Sequence, residues 1–344
     1  MSLKNLSVRS KIPRRYKKIL FNKKVINIFK KFEISFNPEQ NFIVAVSGGA
    51  DSLALAFLTK LYSLKNNMRP KYFIVDHKLR KESKNEALKV KKILRSLKIN
   101  SDILSWNGKK PSSNLQANAR KKRYDLLFSM CNKLKIKNLV LGHHIDDLFE
   151  NFFLRLVRGS GLKGLVSLGE KAQNKRINLL RPLIYFEKKD LIFISNLVFG
   201  FYVSDPSNLN TKFNRIKIRN LISQFEKIGL DKKKFKLTIE NLKSSDNSIK
   251  FYVEKNKNEN SLINYKKKEL ILKENFFDNS NEVIHRSLSD LIQIVGQKEN
   301  PVRGKKIGNI LYKIRNKRFI KETLGGCVIK MVNQTIILTK EHYK

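Results

Sequence analysis

From residue 42 onward the chain alternates short apolar runs with longer segments whose apolar positions recur at helical spacing. "NFIVAVSG" reads as a strand and "DSLALAFLTKLYSL" as a helix. "KYFIVDH" is a second strand, and "ESKNEALKVKKILRSLK" a helix with apolar residues at 87, 90, 94 and 97. "SDILSW", "NLQANARKKRYDLLFSMCNKL", "KNLVLGHH" and "IDDLFENFFLRLVRG" continue as strand, helix, strand and helix. Short strands separated by amphipathic helices form βαβ units. The expected fold class is α/β, a doubly wound parallel sheet with helices on both faces.

"RGSGLKGLVSLGEK" reads as a loop whose glycines free the backbone. The apolar stretch "INLLRPLIY" leads to a helix near 187–199, a polar turn "SDPSNLN" and a basic helix "KFNRIKIRNLISQFEKIG". That helix closes a domain near residue 230. The expected division is a basic segment 1–41, a main domain 42–230 and a smaller region 231–344. The last is helical at 231–243 and 281–295 and ends in "GCVIKMVNQTIILTK", two strands about an Asn-Gln turn. No internal repeat is visible.

Composition changes this picture in two ways. The 344 residues hold 72 Lys and Arg against 29 Asp and Glu, a formal charge of +43. Such a field concentrates polyanions, and nucleic acid is the expected partner. A Lys-, Asn- and Ile-rich bias explains part of that charge but explains acid-free runs less well. Residues 1–31 hold eleven Lys and Arg and no acid, and residues 301–321 hold eight and none. The first run leans on Lys and lacks an apolar core with a cleavage site, so cytoplasm rather than an organelle is expected. No stretch reaches the length of a membrane span, and no membrane partner is expected. The two cysteines, Cys131 and Cys327, sit far apart in apolar contexts and read as buried thiols, not as a metal site or disulfide.

Candidate chemistry starts with "SGGADS", residues 47–52. It matches neither GxxxxGK[ST] nor GxGxxG, so the common phosphate loop and the dinucleotide fingerprint are both excluded. What remains is a strand-to-helix turn. Gly48 and Gly49 let backbone N–H groups approach a ligand, Ser47 and Ser52 add hydroxyls, and a helix presents its positive end. Ligands of doubly wound sheets sit at the carboxyl ends of strands. Asp76 and His77 stand at the end of the second strand, and His143, His144, Asp146 and Asp147 at the end of the fourth. Asp147 and Glu150 lie three apart on one helix and share a face.

"SGGADS", "VDHKLR", "LQANARKKRY", "LGHHIDDLFENFFLRLVRGSGLKGL", "RPL" and "DPSN" occur in the order seen in tRNA(Ile)-lysidine synthetases. The chain resembles that family, a branch of the pyrophosphatase-loop ATPases, over about residues 40 to 220, with a weaker echo in "TLGGCVIK". The resemblance implies an adenine nucleotide alpha hydrolase-like sheet, a catalytic domain over 42–230 and a tRNA-binding region over 231–344. It implies a ligase that spends ATP to adenylate carbon 2 of the wobble cytidine in the CAU anticodon of tRNA(Ile). Free L-lysine then displaces AMP, changing the codon read from AUG to AUA.

It further implies that Ser47, Gly48, Gly49, Ala50, Asp51, Ser52, Asp76 and His77 bind ATP, with Asp51 a contact through Mg²⁺. Asp51, His143, Asp147 and Glu150 are the implied catalytic set, the two acids on the helix holding the lysine ammonium and accepting its proton. Arg120, Arg123, Arg155, Arg158 and Lys163 are expected to contact RNA. Leu148 and Asn151 stand where the family usually has Gln and Thr; Asn keeps a polar side chain, whereas Leu148 cannot hydrogen-bond. The same residues are also compatible with a sulfur-inserting relative, an amide-forming relative or a basic RNA-binding protein with a dead nucleotide site. A homodimer is left open.

Overall fold

The computed structural model describes residues 14–78, 82–106, 108, 115–174, 176–203, 214–264, 269–298, 301–333 and 335–341. The chain divides into two compact units, Met1–Leu230 and Asp231–Lys344.

The first unit opens with helices α1 (Arg14–Leu20) and α2 (Lys23–Ser35). Asn22 caps α2 by accepting from the N–H groups of Lys24 and Val25 at 2.9 and 3.3 Å. The βα alternation then runs through β1 (Phe42–Val46), α3 (Ala50–Lys65), β2 (Lys71–Asp76), α4 (Ser83–Ser96), β3 (Ser101–Ser105) and α5 (Leu115–Lys133). It continues with β4 (Asn138–Val140), α6 (Ile145–Leu156), α7 (Leu162–Leu165), β5 (Lys171–Asn174), β6 (Ile177–Leu180), α8 (Lys188–Phe199) and α9 (Asn214–Lys227). The sheet order is β3-β2-β1-β4-β6-β5, parallel throughout except for the antiparallel edge pair β5–β6.

Side chains alternate across this sheet. Phe42, Val44 and Val46 face one core with α3, α4 and α8. Ile43, Phe73 and Leu139 face a second core with Leu127 and Cys131 of α5. Coverage on both faces explains why β1 reads as a continuous apolar run. Helix α3 is apolar nearly all round because it is enclosed, with Leu53, Leu55, Phe57 and Leu58 fully buried.

The packing does not follow the expected boundary between a basic segment 1–41 and a domain starting at 42. Val25, Ile28 and Phe32 recur along one side of α2 and are buried in the first core, and Tyr16 stacks on Phe57 with ring centroids 5.6 Å apart. Residues 14–41 therefore belong to the first unit, and their cations ride on an amphipathic exterior. Two further elements depart from the sequence reading. The polar "KAQN" forms β5, an edge strand held by pairing rather than burial, and the glycine loop contains the single turn α7.

The second unit consists of α10 (Lys232–Asn260), β7 (Ser261–Asn264), β8 (Glu269–Leu272), a 3₁₀ turn Glu274–Phe277, α11 (Asn281–Gly296), α12 (Gly304–Arg315), β9 (Lys321–Leu324), β10 (Cys327–Val332) and β11 (Thr335–Lys340). Its antiparallel sheet has the order β7-β8-β11-β10-β9. Leu270, Leu272, Ile329, Ile336 and Leu338 meet Ile284, Leu288 and Ile292 of α11 and Ile307 and Ile310 of α12 in one core. The hairpin about Asn333 is as expected, with Val332 opposite Thr335 and Asn333 left-handed at φ 48°.

Helix α10 is much longer than the expected 231–243. Its buried positions Ile239, Asp246 and Val253 keep a seven-residue spacing, but the middle one is polar, which hides the period. Asp246 is satisfied by Arg286 of α11 at 2.5 Å, and Asn256 donates to the Phe276 carbonyl and to Ser287. A buried charge is tolerable only when paired in this way.

Candidate active site

The turn between β1 and α3 is built for close backbone approach. Gly48 has φ +87°, and a Cβ there would lie 2.6 Å from Val90 Cγ2 and 3.0 Å from Val203 Cγ2. Only glycine fits both the left-handed conformation and the space. Ser52 Oγ accepts from the Ser47 N–H at 3.1 Å and donates to the Gly49 carbonyl at 2.9 Å, closing the turn on itself. From outside, the Val203 N–H donates to the Gly48 carbonyl and Ser195 Oγ to the Ala50 carbonyl, at 2.9 and 2.6 Å. The first-turn N–H groups of α3 carry the positive end of the helix dipole, and Asp51 stands among them.

β1 and β4 are parallel neighbours, Val44 opposite Val140, so the segments that leave them emerge at the same edge of the sheet. The strand order reverses direction between them, which is the switch-point crevice of an open α/β sheet. A Cβ on Gly142 would come within 3.4 Å of the Asp51 backbone and Ser52 Cα, so the two segments touch. β4 ends at Val140, and His143 and His144 lie on the turn that follows rather than on the strand.

His144 is the N-cap of α6. Its Nδ1 accepts from the Asp146 N–H at 3.3 Å, and its own N–H donates to Asp147 Oδ2 at 3.0 Å, a reciprocal capping box. Its Nε2 lies 3.5 Å from Asp51 Oδ2 and 3.7 Å from Asp147 Oδ2. Burial alone would lower the pKa of this imidazole, but the hydrogen bond to Asp51 and the charges of Asp147, Asp51 and Asp146 raise it above the ordinary value. The two uses of Nδ1 are exclusive: cap acceptor in the neutral ring, donor to Asp146 Oδ2, 3.7 Å away, in the imidazolium. His143 is the opposite case. Burial holds it down at about 3 against the pull of Asp147, and the charges of Arg181, Arg120 and Arg123 push the same way as burial. Its Nδ1 is buried without a hydrogen-bond partner.

Glu150 is engaged within the protein. It is 3% exposed, and its carboxylate accepts from Arg219 of α9 through Nε and, at 3.4 Å, through a terminal nitrogen. In this arrangement Arg219 supplies the positive partner of that carboxylate. The signal in the sequence was "KIRNLI", a cation at residue 219 on the helix that closes the unit, but nothing local says which acid it meets. At the two departures from the family pattern, Leu148 is buried in the α6 apolar face, and Asn151 donates to Ser167 Oγ at 3.2 Å.

Asp76 is buried and its Oδ1 accepts from the Lys78 N–H at 2.9 Å, while His77 carries a buried Nδ1 without a hydrogen-bond partner. Burial, helped by Arg123, lowers the His77 pKa. Arg120 and Arg123 flank the Tyr124 ring, their guanidinium carbons 5.3 and 5.6 Å from its centroid; Arg120 donates to the Tyr124 hydroxyl at 3.4 Å, and Arg181 donates to the Gly169 carbonyl at 2.8 Å. Arg181, at the end of β6, is the member of this cationic group that spacing did not single out. Arg155, Arg158 and Lys163 are exposed; Arg155 lies in the last turn of α6, a helix of 12 residues spanning about 18 Å at ~1.5 Å per residue, and Arg158 and Lys163 follow in the turn after it and on α7. "DPSN" and Arg80 of "VDHKLR" lie outside the described residues.

Among the described residues no group of His, Cys, Asp and Glu forms a closed metal cage. Asp51 Oδ1 is a buried carboxylate oxygen without a hydrogen-bond partner, which fits a Mg²⁺ held mostly by phosphate oxygens and water. Burial drives the Cys131 thiol up to about 11 and the Cys327 thiol up to about 12, so neither is a ready nucleophile. No helix among the described residues is long and apolar enough to cross a membrane.

Residues 17–226 match a PP-loop domain family. The chain is 34% identical to the tRNA(Ile)-lysidine synthase of Rickettsia bellii over 343 aligned positions, covering 92% of this chain and 75% of that protein. It is 32% identical to that of Orientia tsutsugamushi, covering 89% and 71%, and 31% identical to that of the Wolbachia of Brugia malayi, covering 88% and 70%. A solved structure, the U34-tRNA thiolase NcsA from Methanococcus maripaludis, superposes with a TM-score of 0.52 at 14% identity over 63% of this chain and 79% of that one, a likeness of fold. With the anion turn and the double-histidine segment meeting at one sheet edge, the chain belongs to the tRNA(Ile)-lysidine synthase family of ATP-dependent PP-loop ligases.

Proposed function

We propose that this site adenylates carbon 2 of the wobble cytidine in the CAU anticodon of tRNA(Ile) and then joins free L-lysine there, releasing pyrophosphate and AMP. The observation that carries the reading is the contact of Gly142 with the Asp51–Ser52 backbone. It brings a turn suited to polyphosphate and the acids of α6 into one crevice.

In the first step the cytosine carbonyl oxygen attacks the α-phosphorus of ATP and pyrophosphate departs. The Ser47–Ser52 turn and the positive end of α3 hold the departing group. Mg²⁺, when bound, would supply positive charge to offset that developing on the phosphates. Asp51 Oδ1 is the protein oxygen that fits it. In the second step the lysine ε-amine attacks carbon 2, the bond to the AMP oxygen breaks, and the amine gives up a proton. Asp147 is the acid assigned to that proton. Glu150 instead fixes α9 against α6 through Arg219. His143, held neutral, offers Nδ1 as an acceptor beside Arg120 and Arg123, which are assigned to the RNA.

For the rest of the tRNA we assign the exposed Arg155, Arg158 and Lys163 in the first unit, and in the second the cations of 301–321, all of which are exposed. ATP, free lysine and uncharged tRNA meet in the cytoplasm, where the reading places the protein. Purified protein incubated with ATP, labelled lysine and CAU-anticodon tRNA(Ile) tests the whole assignment. Label is expected in the anticodon loop with AMP and pyrophosphate in equal amounts, and release of pyrophosphate without tRNA-bound lysine overturns it.

A further inference from the structure

Three carboxylates, Asp51, Asp146 and Asp147, surround the buried His144 ring, and only one of them belongs to the anion turn. His144 Nε2 lies 3.5 Å from Asp51 Oδ2, while Asp51 Oδ1 is buried with no hydrogen-bond partner. From this geometry we infer that His144 is a positioning residue: its Nε2–H ties down one oxygen of Asp51 so that the other is presented to the cation on the ATP polyphosphate. The inference rests on the reading that Asp51 faces that polyphosphate.

The argument is one of rotamers. An aspartate at the first turn of a helix has two carboxylate oxygens that exchange by rotation about a broad terminal torsion. A donor on one oxygen stops that exchange and lowers the entropy lost when a ligand takes the other. The donor must itself be fixed, and His144 is. Its Nδ1 caps α6 and its backbone N–H holds Asp147 Oδ2, so the ring is anchored on both sides before it reaches Asp51. The Gly142 contact with the Asp51 backbone sets the distance over which the ring spans. His144 thus couples the start of α3 to the start of α6. Outer-shell donors of this kind change metal affinity about 10- to 100-fold when removed.

Two variants separate this role from mere support. Asn reproduces the Nδ1 position of histidine and is a good N-cap, so His144→Asn keeps the cap of α6 and loses the donor to Asp51. Gln reproduces the Nε2 position, so His144→Gln keeps the donor and loses the cap. The readouts are Mn²⁺ binding to the protein with a non-hydrolysable ATP analogue, followed by the free-Mn²⁺ electron paramagnetic resonance signal, and KM for Mg·ATP against kcat in tRNA-dependent pyrophosphate release. His144→Asn is expected to weaken Mn²⁺ binding and raise KM by about 10-fold or more while keeping the thermal midpoint. His144→Gln is expected to keep the affinity while melting earlier. Native-like binding by His144→Asn overturns the inference, as does equal loss in both variants or loss in His144→Gln alone. Asp51→Asn serves as the control: if it leaves Mn²⁺ binding unchanged, the underlying reading of Asp51 fails, a result distinct from failure of the histidine variants alone.

Discussion

The carboxylate of Glu150 is buried against the guanidinium of Arg219, joining the middle of α6 to α9. An acid three residues from Asp147, on the face where a substrate amine is expected, is already neutralised by the protein itself. Glu150→Gln therefore acts first on packing. It leaves Arg219 without its charged acceptor, at a cost of about 1–2 kcal/mol, the lower part of the range for charged hydrogen bonds because the Arg219 side chain is 38% exposed. The thermal midpoint should fall, and Arg219→Gln in the same chain should recover part of the loss. A raised KM for lysine with an unchanged midpoint would return Glu150 to the role of lysine clamp.

Gly48→Ala places a methyl in a left-handed conformation and 2.6 Å from Val90 Cγ2. The backbone term alone costs about 1–2 kcal/mol. ATP binding should drop about 10-fold or more as the turn shifts. Adding Val90→Ala relieves the contact but not the strained φ, so titration calorimetry should show partial recovery only.

The adjacent histidines should titrate in opposite directions. His143 binds protons at about 3 when folded and about 6.5 when unfolded, so the unfolded chain takes up more protons throughout that window. Its contribution to stability is full above 6.5 and is lost as pH falls toward 3. His144 is raised, so its contribution is full below the ordinary value and is lost as pH rises through its folded value. In ring-proton NMR the His143 signals should stay flat from about pH 5 to 8 while those of His144 move above the usual histidine midpoint. Acid unfolding of His143→Gln should lose the steepness that His143 supplies.

The cations of α12 and its flanks should read RNA charge rather than nucleotide. Lys305 and Lys306 are exposed on the side of α12 away from the buried Ile307, Ile310 and Leu311. Lys305→Glu with Lys306→Glu should weaken tRNA binding and flatten its dependence on salt, leaving the Kd for ATP unchanged. Filter binding across salt concentrations, beside ATP titration, checks this. Equal loss of both affinities would reject the assignment.

The sheet of the first unit was legible because β1, β2 and β4 are short apolar runs bounded by polar turns and separated by helix-length segments. The crevice was legible because histidine and aspartate recur where those strands stop. Three things were not. β5 has no apolar side to announce it, since an edge strand can be held by hydrogen bonds alone. The full length of α10 was masked by Asp246 and Asn256, polar residues that are buried only because Arg286 and Ser287 meet them. The Glu150–Arg219 pair spans 69 positions, and no periodicity along one helix reports a partner on another.

The close backbone approach at Gly142 has a consequence for how this enzyme can change. A Cβ at Gly142 would already be in van der Waals contact, at 3.4 Å, with the Asp51 and Ser52 backbone, so the floor of the crevice is set by main chain rather than by exchangeable side chains. New substrate preferences have to arise at the rim, where arginines and loops can be exchanged without disturbing the floor. Selection can act freely there while the floor itself stays fixed.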